Sequence, residues 1–157
     1  IVYILSISLL AAACEIETTG NGSLDGNWQL RSIDTLATSQ RCDMSNSYIY
    51  WGITSHILQI RDIDNSNLKI LFNLKKEDNK LRLFSPHNVI TKDKLIALEN
   101  DSLLQPLGIT SLQEDFLIER SDNSQLVLKN ELYRLSFKGE ALGLLGLGLL
   151  FAARLRG

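Results

Sequence analysis

Asp25-Gly26-Asn27-Trp28-Gln29-Leu30-Arg31 is the stretch on which the fold turns. Before it the chain is short, polar and glycine-containing. From Trp28 onwards apolar and polar residues alternate. Trp28 and Leu30, with Ser32 next in step, share one face opposite Gln29 and Arg31. A period of two marks a strand with one buried face, so Gly26-Asn27-Trp28 opens the first strand of a β domain.

The alternation continues downstream. A polar loop spans about Thr35 to Asn46. Tyr48 to Arg61 is rich in β-branched and aromatic residues and too long for one flat strand. Gly52 is the expected bend, with Ile49, Trp51, Ile53 and Ile57 on one face. Leu68, Ile70, Phe72 and Leu74 alternate clearly, as do Leu81 and Leu83 after a turn at Glu77-Asp78-Asn79. Ser85-Pro86-His87 interrupts the pattern. The leucines of Thr91 to Leu107 do not alternate, and we read that stretch as a long connection with one short helix. Asp101 is its candidate cap, and Pro106 and Gly108 end it. Three strands close the domain, Asp115–Glu119, Gln125–Lys129 and Leu132–Lys138, with turns of hairpin length between them. Their inward candidates are Phe116, Ile118, Leu126, Leu128, Tyr133, Leu135 and Phe137.

This makes an all-β domain of seven or eight antiparallel strands, and an up-and-down barrel removes the exposed edges most economically. An open sandwich is the competitor. Eight strands enclose room for side chains or one small ligand.

Ile1 to Leu10 is apolar and uncharged and runs into Ala11-Ala12-Ala13-Cys14. That is an h-region of secretory length ending in small residues, too short to cross about 30 Å of hydrocarbon. Without an initiator Met or a basic n-region, this signal is expected to be truncated at its start. Leu10 to Cys14 resembles a bacterial lipoprotein signal, although Ala11 stands where Leu is commonest. That resemblance implies lipidation of Cys14, a membrane contact through the lipid, and a place in the bacterial cell envelope, on the outer membrane. Residues 15–24 read as a tether. Cys42 is then left without a disulfide partner, and no nearby His supports a thiolate.

Composition excludes several functions. The net charge is -2, and Arg154 and Arg156 are the only charges in residues 1–14 and 141–157, so residues 15–140 carry -4. A mildly acidic domain with dispersed lysines and arginines does not suit nucleic acid. His56 and His87 lie in different elements, which gives no metal site. No cofactor motif, P-loop or nucleophile elbow is present. The acidic pairs Glu114-Asp115 and Asp62/Asp64 sit at turns. The chain is therefore not expected to be an enzyme, and an envelope hydrolase is the weakest reading.

Asp25-Gly26-Asn27-Trp28 resembles the Gly-x-Trp of lipocalins. Together with the strand count, the cysteine-terminated signal and the pattern from Leu107 to Lys138, residues 24–138 look like the lipocalin-like lipoproteins of Bacteroides-type bacteria. The resemblance implies a secreted, lipid-anchored barrel spanning residues 25–138. It implies that Gly26 and Trp28 form the structural motif at the closed end. It also implies a basic residue of the last strand stacked on Trp28. Arg134 is the first candidate and Lys138 the second. In such bacteria Asp34-Thr35-Leu36 and Asp101-Ser102-Leu103 would be O-glycosylation signals on Thr35 and Ser102.

Residues 139–157, with the apolar run Ala141 to Ala153, fall outside that pattern. We read them as a non-native extension, such as a frameshifted end. A membrane-seeking helix and a segment packed back on the barrel are the alternatives.

Two functions follow. The first is a lipid-anchored binding protein with a small apolar ligand in the barrel, lined by Trp51, Ile53, Phe72, Leu83 and Phe116, chosen by alternation and size. The second is an interaction module with a filled barrel, presenting its loops to another envelope protein.

Overall fold

Strands form where the alternation is. In the computed structural model, which describes residues 21–65 and 67–140, there are ten. They are β1 (Gly26–Thr35), β2 (Gln40–Asp43), β3 (Ile49–Thr54), β4 (Ile57–Asp62), β5 (Lys69–Glu77), β6 (Lys80–Thr91), β7 (Lys94–Ala97), β8 (Glu114–Ser121), β9 (Gln125–Lys129) and β10 (Tyr133–Glu140). Neighbours pair antiparallel in the order β10-β9-β8-β6-β5-β4-β3-β1, and β1 pairs back onto β10. Eight strands thus close a ring. β2 adds to the later half of β1, and β7 to the later half of β6. Closure leaves no long unpaired edge, which is the usual hazard of a sheet.

Trp28 fixes the lower end of the ring. Its partners across the ladders are Trp51 on one side and Gly139 on the other. The indole is buried and its Nε1–H donates to the Leu24 carbonyl at 2.8 Å. Gly26 adopts φ +151°, a backbone that side chains resist. The 3-10 turn Gly22–Leu24 then plugs the floor with the buried Leu24. Asn21 Nδ2 donates to the Ser55 carbonyl at 2.6 Å, and Ser23 Oγ to the Ser121 carbonyl at 3.1 Å. The floor is therefore stitched to the β3–β4 turn and to the end of β8.

Inward residues meet in rows. One row runs Gly139, Trp28, Trp51, Ile60, Ile70 and Asn88 across six strands. Trp51 packs on Phe137 with ring centroids 4.7 Å apart and edge-on to Phe116 at 6.1 Å, both within the range favoured by aromatic pairs.

Several local expectations are revised. The bend in residues 48–61 is not at Gly52, which sits in a straight ladder opposite Gln59. The chain reverses at Ser55-His56, with Ser55 at φ +55°, so Ile57 lands outside and Leu58 takes the inward place. In β1 the register shifts between Leu30 and Ser32. This bulge gives the inward position to Ile33, opposite Leu135, and turns Ser32 outward. Ser85-Pro86 does not end a strand either. Leu71 pairs with His87 and Asn73 with Phe84, so two residues oppose Phe72. A bulge is where a residue without an N–H can be accommodated in a ladder. The expected short helix is the 3-10 turn Gln105–Leu107, closed by Gly108 at φ +79°.

The last strand runs past Lys138. Gly139 and Glu140 belong to β10, and Gly139 N donates to the Ser124 carbonyl at 2.8 Å. A Cβ on Gly139 would lie 2.7 Å from the Asn123 carbonyl oxygen and 3.2 Å from the Trp28 ring. Residues 141–157 and the signal with Cys14 lie outside the described residues.

Two substitutions check the role of the Trp28–Gly139 contact. Trp28→Ala should lose about 3–5 kcal/mol, as for other buried large aromatics. Gly139→Ala should lose about 1–3 kcal/mol from overpacking against backbone that cannot move aside. Urea unfolding measures both, and an unchanged midpoint in either variant contradicts this floor.

Candidate functional site

The ring has two unlike ends. The β3–β4, β5–β6 and β8–β9 turns emerge at the Trp28 end, together with the plug Gly22–Leu24. At the opposite end lie the β2–β3, β4–β5, β6–β7 and β9–β10 loops and the long β7–β8 connection.

The five residues chosen as ligand lining, Trp51, Ile53, Phe72, Leu83 and Phe116, all point inward and belong to one apolar cluster. Each is 0–1% exposed. They lie against one another and their neighbours, so none presents free surface to a guest in this conformation. Two polar atoms on the inward row, Trp51 Nε1 and Asn88 Oδ1, are buried without a hydrogen-bond partner. Such groups carry the desolvation penalty of an unmade bond.

Free apolar surface gathers instead at the open end. Nine large apolar residues are exposed among those described, and seven lie here. Tyr48 and Ile63 sit on the β2–β3 and β4–β5 loops, joined where Ile63 N donates to the Tyr48 carbonyl at 3.1 Å. Ile90, Leu95 and Ile96 occupy the β6–β7 hairpin, Leu103 the β7–β8 connection, and Leu132 the β9–β10 turn. Ile96 is opposite Asn88 and so shares the inner face, yet it is 46% exposed. Cys42 likewise faces inward, opposite Ile33, and is an exposed free thiol with Sγ 3.7 Å from Met44 Sδ. The mouth residues were not singled out in the sequence. Val89-Ile90 and Leu95-Ile96 around Thr91-Lys92-Asp93 do carry a hairpin pattern.

One side of this end is covered. Leu104, Leu107 and Ile109 of the β7–β8 connection are buried in the core cluster. The connection is pinned at its base by Glu114. This buried carboxylate accepts from Thr110 N at 2.7 Å, Thr110 Oγ1 at 2.9 Å and Ser111 N at 3.0 Å. Asn130 Nδ2 holds it again through the Gly108 carbonyl at 2.9 Å.

Arg134 is not stacked on Trp28. Its ladder partner in β1 is Asp34, while that of Trp28 is Gly139. Five residues of strand, roughly 17 Å, separate the two contacts. Arg134 instead grips Glu119 on the outer wall, with Nε and Nη2 donating at 2.8 and 3.2 Å. Lys138 is exposed and does not take its place. Nearby, Asp34, Thr35, Leu36, Ser39, Arg41 and Arg134 line a polar cleft of about 320 Å³. Its charges are matched internally, since Arg41 Nε and Nη2 donate to Asp34 at 2.8 and 3.0 Å. That pairing lowers the Asp34 carboxyl below its ordinary range. Thr35 lines this cleft, and Ser102 is exposed in the β7–β8 connection.

The histidines lie in different elements. His56 is in the β3–β4 turn, and His87 is on β6 with Nδ1 2.8 Å from the Ser85 carbonyl oxygen. Among the described residues no three of His, Cys, Asp and Glu are grouped to hold a metal ion.

Comparison with known proteins agrees with this architecture. The family described as "Lipocalin-like domain" matches residues 8–139. A lipocalin-like protein from Bacteroides uniformis, solved as a crystal structure, superposes with a TM-score of 0.58 at 18% identity. The match covers 76% of this chain and 100% of that one. An uncharacterized protein from Bacteroides eggerthii gives 0.49 at 14% identity, over 74% of this chain and 98% of that one. No curated protein matches.

The outer wall supplies a pH test. Asp115 accepts from Arg82 Nε and Nη2 at 2.7 and 3.0 Å and lies 3.2 Å from Lys80. The Arg82 hydrogen bonds, with help from Lys80, lower its carboxyl from 3.8 to about 2. A depressed carboxylate stabilises the fold above its unfolded value, and that contribution is lost as pH falls through the folded one. The group is partly exposed, so the full contribution is below about 1 kcal/mol. Asp115→Asn should therefore cost less than that at pH 7 and nothing once the pH is below about 2. It should also flatten the stability profile between roughly pH 4 and 2, as read by urea midpoints across that window.

Proposed function

The chain belongs to the lipocalin-like domain family, and we propose that it is a non-catalytic, lipid-anchored binding protein of the bacterial cell envelope that takes up a small, mainly apolar molecule. A lipocalin-like fold suggests a small-ligand-binding protein. The observation that carries the reading is the clustering of exposed apolar residues at the open end, with Ile96 on the inner face. Such side chains outside a core cost hydration free energy, roughly 25 cal/mol per Å² of apolar surface. An apolar guest seated between the β6–β7 hairpin and the Tyr48/Ile63 loops would recover part of it.

The anchor fits this orientation. β1 begins and β10 ends at the closed end. Cys14 precedes Asn21 by seven residues, a reach of at most about 25 Å. A lipid on Cys14 would hold the closed end against the membrane, with the outer membrane as our assignment. The mouth would then face away from it.

One observation favours a second reading. The five inward residues from Trp51 to Phe116 leave no exposed surface, as expected of a filled ring whose rim docks on another envelope protein.

Titration with the uncharged fluorophore N-phenyl-1-naphthylamine separates the two. We expect saturable binding at one site per chain. Ile96→Asp should weaken it by about tenfold or more, because an inner-face charge must be desolvated by the guest, with an unchanged Tm. Native mass spectrometry of protein from its own host should show a co-purifying small molecule. Failure to bind the fluorophore, with no co-purifying mass, supports the docking module instead.

A further inference from the structure

The outer wall carries a cation that the fold leaves unanswered. Six arginines fall among the described residues, and five have acceptors. Arg31 donates to Gln29, Arg41 to Asp34, Arg82 to Asp115, Arg120 to Asp122 and Arg134 to Glu119. The Arg61 side chain makes no hydrogen bond or ion pair among the described residues, and its Nε is buried without a partner. Burial holds its guanidinium below the ordinary arginine range, whereas acid partners raise Arg41, Arg82 and Arg134. A charge withdrawn from water is normally paired.

Neither residue opposite Arg61 carries a negative charge. On the outer face its ladder partners are Tyr50 in β3 and Lys69 in β5. Side chains directly opposite in such ladders stand about 5 Å apart. No hydrogen bond or ion pair ties up the Tyr50 hydroxyl or the Lys69 ammonium. Burial raises the Tyr50 hydroxyl above its ordinary value, so it remains a neutral donor at physiological pH. Among the described residues no acid is paired with Arg61. Asp62 turns its Oδ1 to Asp64 N and Asn65 N, and Asp43 its Oδ1 to Ser45. Glu140 lies beyond Tyr50, opposite Asn27.

We propose that Arg61, with Tyr50 and Lys69 beside it on the outer wall, is a binding site for an oxyanion, a carboxylate or phosphoryl group of a small molecule. The two Nη groups of the guanidinium fork, which are not buried, match two oxygens of such a group. The phenol and the ammonium would supply further donors. This site faces away from the interior and is independent of whether the mouth takes an apolar guest.

The test uses the full chain with inorganic phosphate and with acetate, each against sodium chloride of equal ionic strength. ¹⁵N-resolved NMR follows the Arg61 Nε–H and the backbone amides of Tyr50, Arg61 and Lys69. We expect saturable shifts confined to these groups with at least one anion, and the stronger of the two identifies the oxyanion class. The same anion should raise the Tm. Arg61→Gln should abolish both effects, and Arg61→Lys, which keeps the charge and loses the fork, should weaken binding by about tenfold. Tyr50→Phe should weaken it several-fold without changing the fold. Shifts no larger than those in chloride, or shifts that persist in Arg61→Gln, overturn the assignment.

Discussion

The seam between β1 and β10 is the constraint from which the rest of the structure follows. Every other ladder in the ring joins strands much nearer in sequence, the widest being Lys80 with Leu117. This one joins residues 27–35 to residues 133–140. Until it forms, both strands are edges with unmet N–H and C=O groups, and the interior is open to water. At the seam the Asn123 carbonyl and the Trp28 ring both crowd position 139, which is why glycine stands there. The same tryptophan starts the inward row that passes through Trp51, Ile60 and Ile70. A single contact thus sets where the floor is, which residues face inward and how the last strand must end. The bulge at Arg31 belongs to the same solution. A ring of eight strands must curve, and an extra residue in one strand of a pair supplies local bend and twist.

Much of this wall is legible in the sequence because burial on one face writes a period of two. Leu68 to Leu74, Leu81 and Leu83, Leu126 and Leu128, and Leu135 and Phe137 alternate plainly, and all but Leu68 are fully buried. Features that break the period without a turn residue are the ones that escape. Ser55-His56 reverses the chain although neither residue is Gly, Pro, Asn or Asp, so the bend is sought at Gly52. Ser85-Pro86 reads as a break because proline cannot donate, yet a bulge lets the strand continue to Thr91. β2 and β7 are four residues each and exposed along their whole length. With no buried face they leave no periodic trace. Arg134 shows a different limit. A basic residue on the last strand is expected at Trp28, but contact along a strand depends on register, and register is set across strands. The Asp34 partner places Arg134 near the opposite end.

The two ends of the ring divide the chemistry of the molecule. Below, Leu24 and Trp28 are buried and the Trp28 Nε1–H is satisfied by the Leu24 carbonyl, which closes the floor. Above, the long connection covers one flank with Leu104, Leu107 and Ile109, while the β6–β7 hairpin continues past the ring with Ile96 on its inner face and exposed. The reason lies in the topology. β6 is twelve residues long, and only its first part pairs with β8. The remainder pairs on that side with β7, whose four residues are all exposed. Apolar residues there cannot be buried by the fold itself, so their exposure is a consequence of strand length and not of poor packing elsewhere.

A strand in a closed ring writes two surfaces at once, and β4 shows how independent they are. Ile60 is fully buried in the row with Trp51 and Ile70, while Arg61, the next residue, stands on the outside with Tyr50 and Lys69. Filling or emptying the interior alters what Ile60 meets and leaves the outward row in place. Elsewhere the outer wall neutralises its own charges through forks such as Arg82–Asp115 and Arg134–Glu119. Those forks show that this sheet readily places a carboxylate opposite a guanidinium. At Arg61 the cross-strand positions hold a phenol and an ammonium instead of a carboxylate, and the proposed oxyanion would supply the missing negative charge.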